Sequence, residues 1–409
     1  MVQRLTEAAK AAAIAAILGF ALIGFDLVDQ AGGETLVTRW RALGLAVALV
    51  FAGRLALDAM PPIRIEPSDR TVSGLARAGR YLPWALAAFA LLLPAFPFAN
   101  RGVIDAATEI LIYVMLGWGL NIVTGLAGLL DLGYVAFFAI GAYTYAILAT
   151  QAGFSFWACL PVAAATASVA GLLIGFPVLR LRGDYFAIVT LGFGQIVRIV
   201  INNWRSLTNG SQGIAGVPRP SFLGLADFAA SPAPGHRAFN ALFGIAYSPV
   251  QRVVFLYYVA LLLALAVNLF TLRIRRLPIG RAWEALREDE IACQALGIDR
   301  RRVKLAAFAI GAAWGGVAGV LFPAKQQGFV SPESFGFMET AMITAIVVLG
   351  GMGSQLGIVL AALILIGLPE LFREFEQYRM LAFGLSMILI MRFRPRGLVA
   401  TRRPSVVLE

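Results

Sequence analysis

Thr271–Lys304 reads TLRIRRLPIGRAWEALREDEIACQALGIDRRRVK, a hydrophilic island between two long apolar runs. It is basic at both ends and acidic in the middle. Arg273, Arg275 and Arg276 close the run before it, and Arg300, Arg301, Arg302 and Lys304 open the run after it. Inside it, Ile291, Ala292, Ala295 and Leu296 recur at i, i+1, i+4, i+5, which predicts a short amphipathic helix. Gly297 suits the C′ position of that helix and Asp299 the N-cap of the next. Positive charge at the inner ends of apolar runs marks a cytoplasmic loop. The island therefore places the chain among all-α polytopic membrane proteins, and a short helix displayed at the cytoplasmic surface calls for a partner.

Composition agrees. Of 409 residues, 59% are hydrophobic and 14% charged, against about a quarter charged in soluble domains. The formal net charge of +11 is spread over the ends of apolar runs rather than gathered in one patch, which excludes a nucleic-acid reading and leaves membrane lipid as the general partner. Cys159 falls in a span and Cys293 in the island, at different depths, so no disulfide is expected between them. A single histidine, His236, excludes a histidine-based metal cluster within one chain.

Candidate spans lie near 10–26, 40–57, 82–98, 105–125, 132–150, 157–178, 185–203, 251–271, 303–322, 337–352, 356–371 and 378–393. The first follows Arg4 and Lys10 and is expected to be retained rather than cleaved as a signal peptide. Arginines in 54–80, in the turn 179–184, at the ends of the island and in the tail all face one side if the spans alternate. Both termini are then cytoplasmic, and the loops near 27–39, 99–103, 204–250, 323–336 and 372–377 lie outside. The expected organisation is an N-terminal extension over 1–80 with two spans and a linker. A core of about 8–10 spans over 81–398 and a cytoplasmic tail over 399–409 follow. The external segment 204–250 is rich in Gly, Pro, Ser and Asn, and is either a lid or docking surface or a plain connector.

Small residues organise the spans. Gly311, Gly315 and Gly319 repeat at every fourth position, and Gly171 and Gly175 keep the same spacing, which predicts close helix packing. Two glycine-broken stretches, GLAGLLDLG at 125–133 and GGMGSQLG at 350–357, separate apolar runs. They serve as tight turns in the topology above. Paired breaks of this kind also point to an inverted-repeat transporter whose pathway they would line.

There is no Walker A pattern, because the three lysines (10, 304 and 325) follow no glycine-rich loop. No metalloprotease or nucleophile-elbow motif occurs either, so the chain shows no catalytic constellation. Glu109, Asp131 and Arg198 are the clearest ionisable groups within or beside core spans, a modest inventory for a carrier driven by an ion gradient. Asn121, Thr124, Asp131, Tyr134, Tyr185, Thr190 and Gln195 are candidates for the translocation path, and the competing reading of each is an interhelical hydrogen bond.

GLNIVTGLAG at 119–128, LGYVAFFAIGAY at 132–143, LRGDYFAIVTLGF at 181–193, TNGSQGIAGVP at 208–218 and VLGGMGS at 348–354 resemble, in order, the LivM-type permeases of bacterial branched-chain amino acid ABC importers. The resemblance spans about 100–398, and the extension before residue 80 resembles that of longer members. It implies a type II-like, inverted-repeat permease core in the inner membrane, paired with a homologous LivH-type permease. It also implies two ATPase subunits beneath and a periplasmic binding protein above. ATP and magnesium then belong to the ATPases, and this chain carries no cofactor and no catalytic residue. Residues 278–302 correspond to the loop that docks on an ATPase, a divergent EAA loop with Glu288, Asp289, Glu290, Ala292, Ala295 and Gly297 in the matching region. Alternative cargoes within the family are urea, amides or aromatic acids. An ion-coupled secondary transporter is the alternative outside it.

Overall fold

The computed structural model describes residues 82–367 except 182, 223–225, 229–236 and 239–247, together with 25–30, 33–38, 397–399 and scattered residues at 6–52, 369, 384 and 388. Most of the expected spans at 10–26, 40–57 and 378–393, the linker 58–80, the tail beyond 399 and His236 lie outside the described residues. The chain divides into two compact units, Met1–Tyr81 and Leu82–Glu409.

In the first unit the expected loop 27–39 is instead a β-hairpin, β1 (Phe25–Gln30) paired antiparallel with β2 (Gly33–Thr38). Phe25 and Asp26, placed at the end of a span by hydropathy, belong to β1. The register runs from Phe25 opposite Thr38 to Gln30 opposite Gly33. Each strand carries branched or aromatic residues beside polar ones, a β-like pattern too short to weigh in a span-length window.

The second unit is a helical bundle. Its helices are α1 (Leu82–Ala95), α2 (Arg101–Asn121, prolonged by a π-helical turn Ile122–Leu126), α3 (Val135–Gln151), α4 (Phe156–Val178), α5 (Asp184–Asn203) and α6 (Val250–Arg276). Two short helices of the island follow, α7 (Pro278–Glu288) and α8 (Glu290–Ala295). Then come α9 (Arg300–Lys325), α10 (Phe337–Gly350) and α11 (Gln355–Ala362, prolonged by a π-helical turn Leu363–Gly367). Among the described residues, five helices are long and apolar enough to cross a membrane: α2, α4, α5, α6 and α9. α1, α3, α10 and α11 are shorter apolar helices among them. Polar side chains start the helices: Asn100 accepts from Val103 N (3.1 Å), Ser155 from Ala158 N (3.3 Å) and Ser354 from Gly357 N (3.0 Å).

α9 is the central post, and its glycines explain why. A methyl group added to Gly311 would lie 3.0 Å from Gly119 O of α2, and one on Gly315 would lie 3.1 Å from Phe137 Cβ of α3. Gly319 faces Phe138 and Ala142 of α3. On the other side, Gly171 and Gly175 of α4 meet Ala312 and Leu305 at 2.8 and 3.0 Å in the same sense, and Gly316 presses on Ala163 O. Two small-residue faces thus let three helices approach one post. Edge-to-face aromatic pairs fill the remaining space, Phe137 with Phe308 (5.5 Å) and Phe138 with Phe335 (5.2 Å).

Candidate functional site

Both glycine-broken stretches lie at the island end of the bundle, and they touch. Asn121, buried in the last turn of α2, accepts a hydrogen bond from Gly353 N at 2.7 Å. A side chain on Gly125 would collide with Asn121 and Gly353, so only glycine permits the approach. Gly128 takes φ +73°, and Gly353 takes φ +92°. Arg287, at the end of α7, lies against Gly128 and donates to Gly125 O. A single guanidinium therefore joins the island to the junction of two turns more than two hundred residues apart in sequence.

The island folds as two helices where the apolar stripe predicted one. α7 begins at Pro278, whose missing N–H costs nothing in a first turn. It buries Gly280, Trp283 and Leu286 on one side. Trp283 is fully buried among Ile122, Leu126, Ile274 and Ala307, and its Nε1 donates to Val303 O at 2.8 Å. Arg275 and Glu284 pair at 3.0 Å across the turn from α6 to α7.

α8 follows after a single residue. Asp289 caps it, accepting from Ile291 N (2.8 Å) and Ala292 N (2.9 Å). Gly297 closes it at φ +84°, with Ile298 N donating to Cys293 O at 3.0 Å in a Schellman arrangement. Glu290 bridges back to α9 through Arg300 (3.0 Å) and Lys304 (2.7 Å). Partial burial raises its carboxyl, but the hydrogen bonds and charges of Lys304 and Arg300 outweigh that and hold it below the ordinary value. Cys293 points inward, whereas Ile291 and Leu296 are 78% and 81% exposed and Ala292 and Ala295 share that surface. Glu288 is exposed beside Arg287 at 3.2 Å.

Of the path candidates, Asn121, Thr124, Asp131, Tyr134 and Thr190 are all buried towards this end. Tyr134 OH donates to Gly311 O at 2.7 Å, locking α3 to α9. Thr190 Oγ1 accepts from Leu132 N at 3.1 Å, locking α5 to the first glycine turn. Asp131 Oδ1 accepts from Gly133 N at 2.8 Å, and burial pushes its carboxyl up to about 6. The Thr124 hydroxyl and the Asn121 amide nitrogen are buried without a hydrogen-bond partner. Tyr185 does not join this group: it is 74% exposed on α5. Gln195 stands higher on α5, its Nε2 buried and unpartnered. Sequence reasoning missed Arg287 and Trp283. Their only signal was the burial period of α7, with Gly280, Trp283 and Leu286 three residues apart.

The opposite end is closed by different chemistry. Lys325 pairs with Glu109 at 2.5 Å, and Tyr113 OH donates to Glu339 at 2.5 Å. The first part of segment 204–250 is stitched down. Ile214 and Val330 exchange backbone hydrogen bonds at 2.9 and 3.0 Å, and Val217 N donates to Gly328 O at 3.0 Å. Trp157 Nε1 donates to Ser221 O at 3.1 Å. The helices α2 to α6, α9 and α10 therefore run between an island end and this stitched end, in alternation.

Comparisons with known proteins fit this architecture. Residues 3–93 match a domain of unknown function, DUF3382. The chain is 54% identical over 326 residues to the high-affinity branched-chain amino acid transport system permease protein LivM of Escherichia coli K12, covering 79% of this chain and 76% of that protein. It is 29% identical to the permease BraD of Pseudomonas aeruginosa and 28% identical to the permease LivH of E. coli K12, in each case over 72% of this chain and 92% of the relative. No solved structure matches the chain. Residues 102–391 match the model of the branched-chain amino acid transport system permease component, so this multi-pass membrane protein belongs to that permease family.

Proposed function

We propose that the chain is the membrane subunit through which branched-chain amino acids pass in an ATP-driven importer of the bacterial inner membrane. Its partners in this reading are a homologous second permease, two ATPase subunits that hold ATP and magnesium, and a binding protein on the outer side. The chain itself performs no chemistry. The island end, with both termini, faces the cytoplasm.

One observation carries the reading. α8 is a rigid six-residue helix, pinned to α9 by Glu290 and capped at both ends, yet it turns Ile291 and Leu296 to water. Apolar side chains held out on a fixed element support a docking role. Beside it, α7 is rooted by Trp283 and reaches the glycine turns through Arg287, which supports transmission from a docked ATPase into the spans. Glu288, Asp289, Glu290, Ala292, Ala295 and Gly297 divide the work: Glu288, Ala292 and Ala295 offer surface, while Asp289, Glu290 and Gly297 shape the element. Alternating access follows, with closure of the ATPase dimer displacing the island and opening the spans outward.

The test is the pair of substitutions Ile291→Asp and Leu296→Asp in the assembled complex. Leucine uptake into vesicles is expected to fall at least tenfold (~1.4 kcal/mol or more of lost coupling). Insertion of the chain and its association with the second permease should persist. Unchanged uptake would refute the docking role. The same vesicles prepared without ATPase subunits check the ion-driven alternative, which requires uptake along an imposed ion gradient.

A further inference from the structure

α5 sits at the margin of the bundle and is two-faced. It buries Phe186, Thr190, Gly194 and Ile201 against the core and leaves a broad apolar face exposed. Along the flank between the two faces run Gln195, Arg198 and Asn202, spaced i, i+3, i+7 and hence one above another. Arg198 is partly buried and, among the described residues, makes no hydrogen bond or ion pair. Gln195 Nε2 is out of contact with solvent and equally without a partner.

Depth makes this arrangement costly unless it is used. Trp204, half-exposed at the stitched end of α5, has the character of an interface-marking aromatic. Arg198 lies six residues below it, about 9 Å at the helical rise, and Gln195 about 4.5 Å deeper. A cation at such depth faces protein or water rather than hydrocarbon. A guanidinium seeks a carboxylate or a phosphate, and the described chain supplies neither. A lipid phosphate lies at the headgroup level, above Trp204. A zwitterionic solute offers a carboxylate to Arg198 and an ammonium to the carbonyl oxygens of Gln195 and Asn202. Below Gln195 the same flank becomes apolar at Leu191 and Ile188, which suits an aliphatic side chain.

We propose that the α5 flank bearing Asn202, Arg198 and Gln195 is a wall of the substrate passage, with Arg198 receiving the α-carboxylate of a free amino acid. This rests on the functional reading above, which supplies the amino-acid cargo. Arg198 is then a specificity-determining residue of the passage itself, additional to whatever selection the binding protein exerts.

The complete complex, reconstituted in proteoliposomes with its binding protein, tests it. In Arg198→Gln, leucine uptake is expected to fall at least tenfold while stimulation of ATP hydrolysis by the loaded binding protein persists. Arg198→Lys should recover part of the uptake. In Arg198→Cys, a positively charged methanethiosulfonate should restore uptake, a negatively charged one should not, and excess leucine should slow both reactions. Buried Cys159 and Cys293 supply the unreactive background, checked in the unsubstituted complex. Unimpaired uptake in Arg198→Gln, or labelling indifferent to leucine, overturns the assignment. So does labelling that changes only with removal of the second permease or of anionic lipid. A wild-type complex that takes up no leucine overturns the functional reading and the Arg198 assignment together. A competent wild type beside an unimpaired variant overturns the assignment alone.

Discussion

Asp131 sits where water does not reach, and burial lifts its carboxyl from 3.8 to about 6. The folded chain holds this proton to higher pH than the unfolded chain does. Folding therefore weakens as pH climbs through that interval, and the penalty is complete above it. A shift of this size corresponds to about 3 kcal/mol. Asp131→Asn keeps an oxygen for Gly133 N–H and removes the charge. The purified variant is expected to melt a few degrees above the wild type at pH 7.5, with the gap closing toward pH 4. A gap that stays constant with pH would show that charge is not its origin. Asp131, Thr190, Tyr134 and Asn121 were legible in the sequence because a polar residue in an apolar run needs a partner. The partners themselves were not: Thr190 serves Leu132, and Asn121 serves Gly353, across stretches that no local pattern connects. Arg287 was hidden for the opposite reason, since one arginine among many charges looks solvated. Tyr185 stands apart from that buried group because polarity gives no facing, and on α5 the tyrosine heads the exposed side.

Helices were easier to read than their faces. Hydropathy located the described core helices to within a few residues, because burial in lipid requires length and apolarity and little else. The small-residue repeat on α9 was visible, yet its second face through Gly316 was not, since a helix apolar all round has no preferred side. That face has a measurable consequence. A methyl on Gly316 would lie 2.5 Å from the main-chain oxygen of Ala163, which cannot rotate away, whereas one on Gly192 of α5 meets nothing within 4 Å. Gly316→Ala is expected to destabilise the purified chain by about 1–3 kcal/mol, and Gly192→Ala to leave its melting temperature within a degree or two. Equal melting temperatures for the two variants would contradict the α4–α9 contact. α7 escaped prediction because its buried residues are spaced correctly but embedded in charge. The hairpin escaped because strands of six residues vanish inside a span-length window.

At the scale of the molecule, the boundary near residue 81 separates two compact units, and the two matching family models meet in the same region, one ending at residue 93 and the other starting at 102. The glycine posts, the island helices and both closed ends belong to the second unit. Removal of residues 1–80 is therefore expected to leave a chain that inserts and melts cooperatively in detergent, within a few degrees of the full protein. Aggregation of that truncated chain on extraction would show that the core needs the first unit.

Between Asn121, which holds Gly353, and Gly125, which receives Arg287, the last stretch of α2 is not α-helical but a π-helical turn. A π-turn carries one residue more per loop of hydrogen bonds than the helix around it. It is thus a short length of slack, clasped on one side by a turn from the far end of the chain and on the other by the island. A pull on α7 is delivered to this stretch first. The rigid length of α2, its ties to α9 and the ion pair at its far end need not yield for the joint to give.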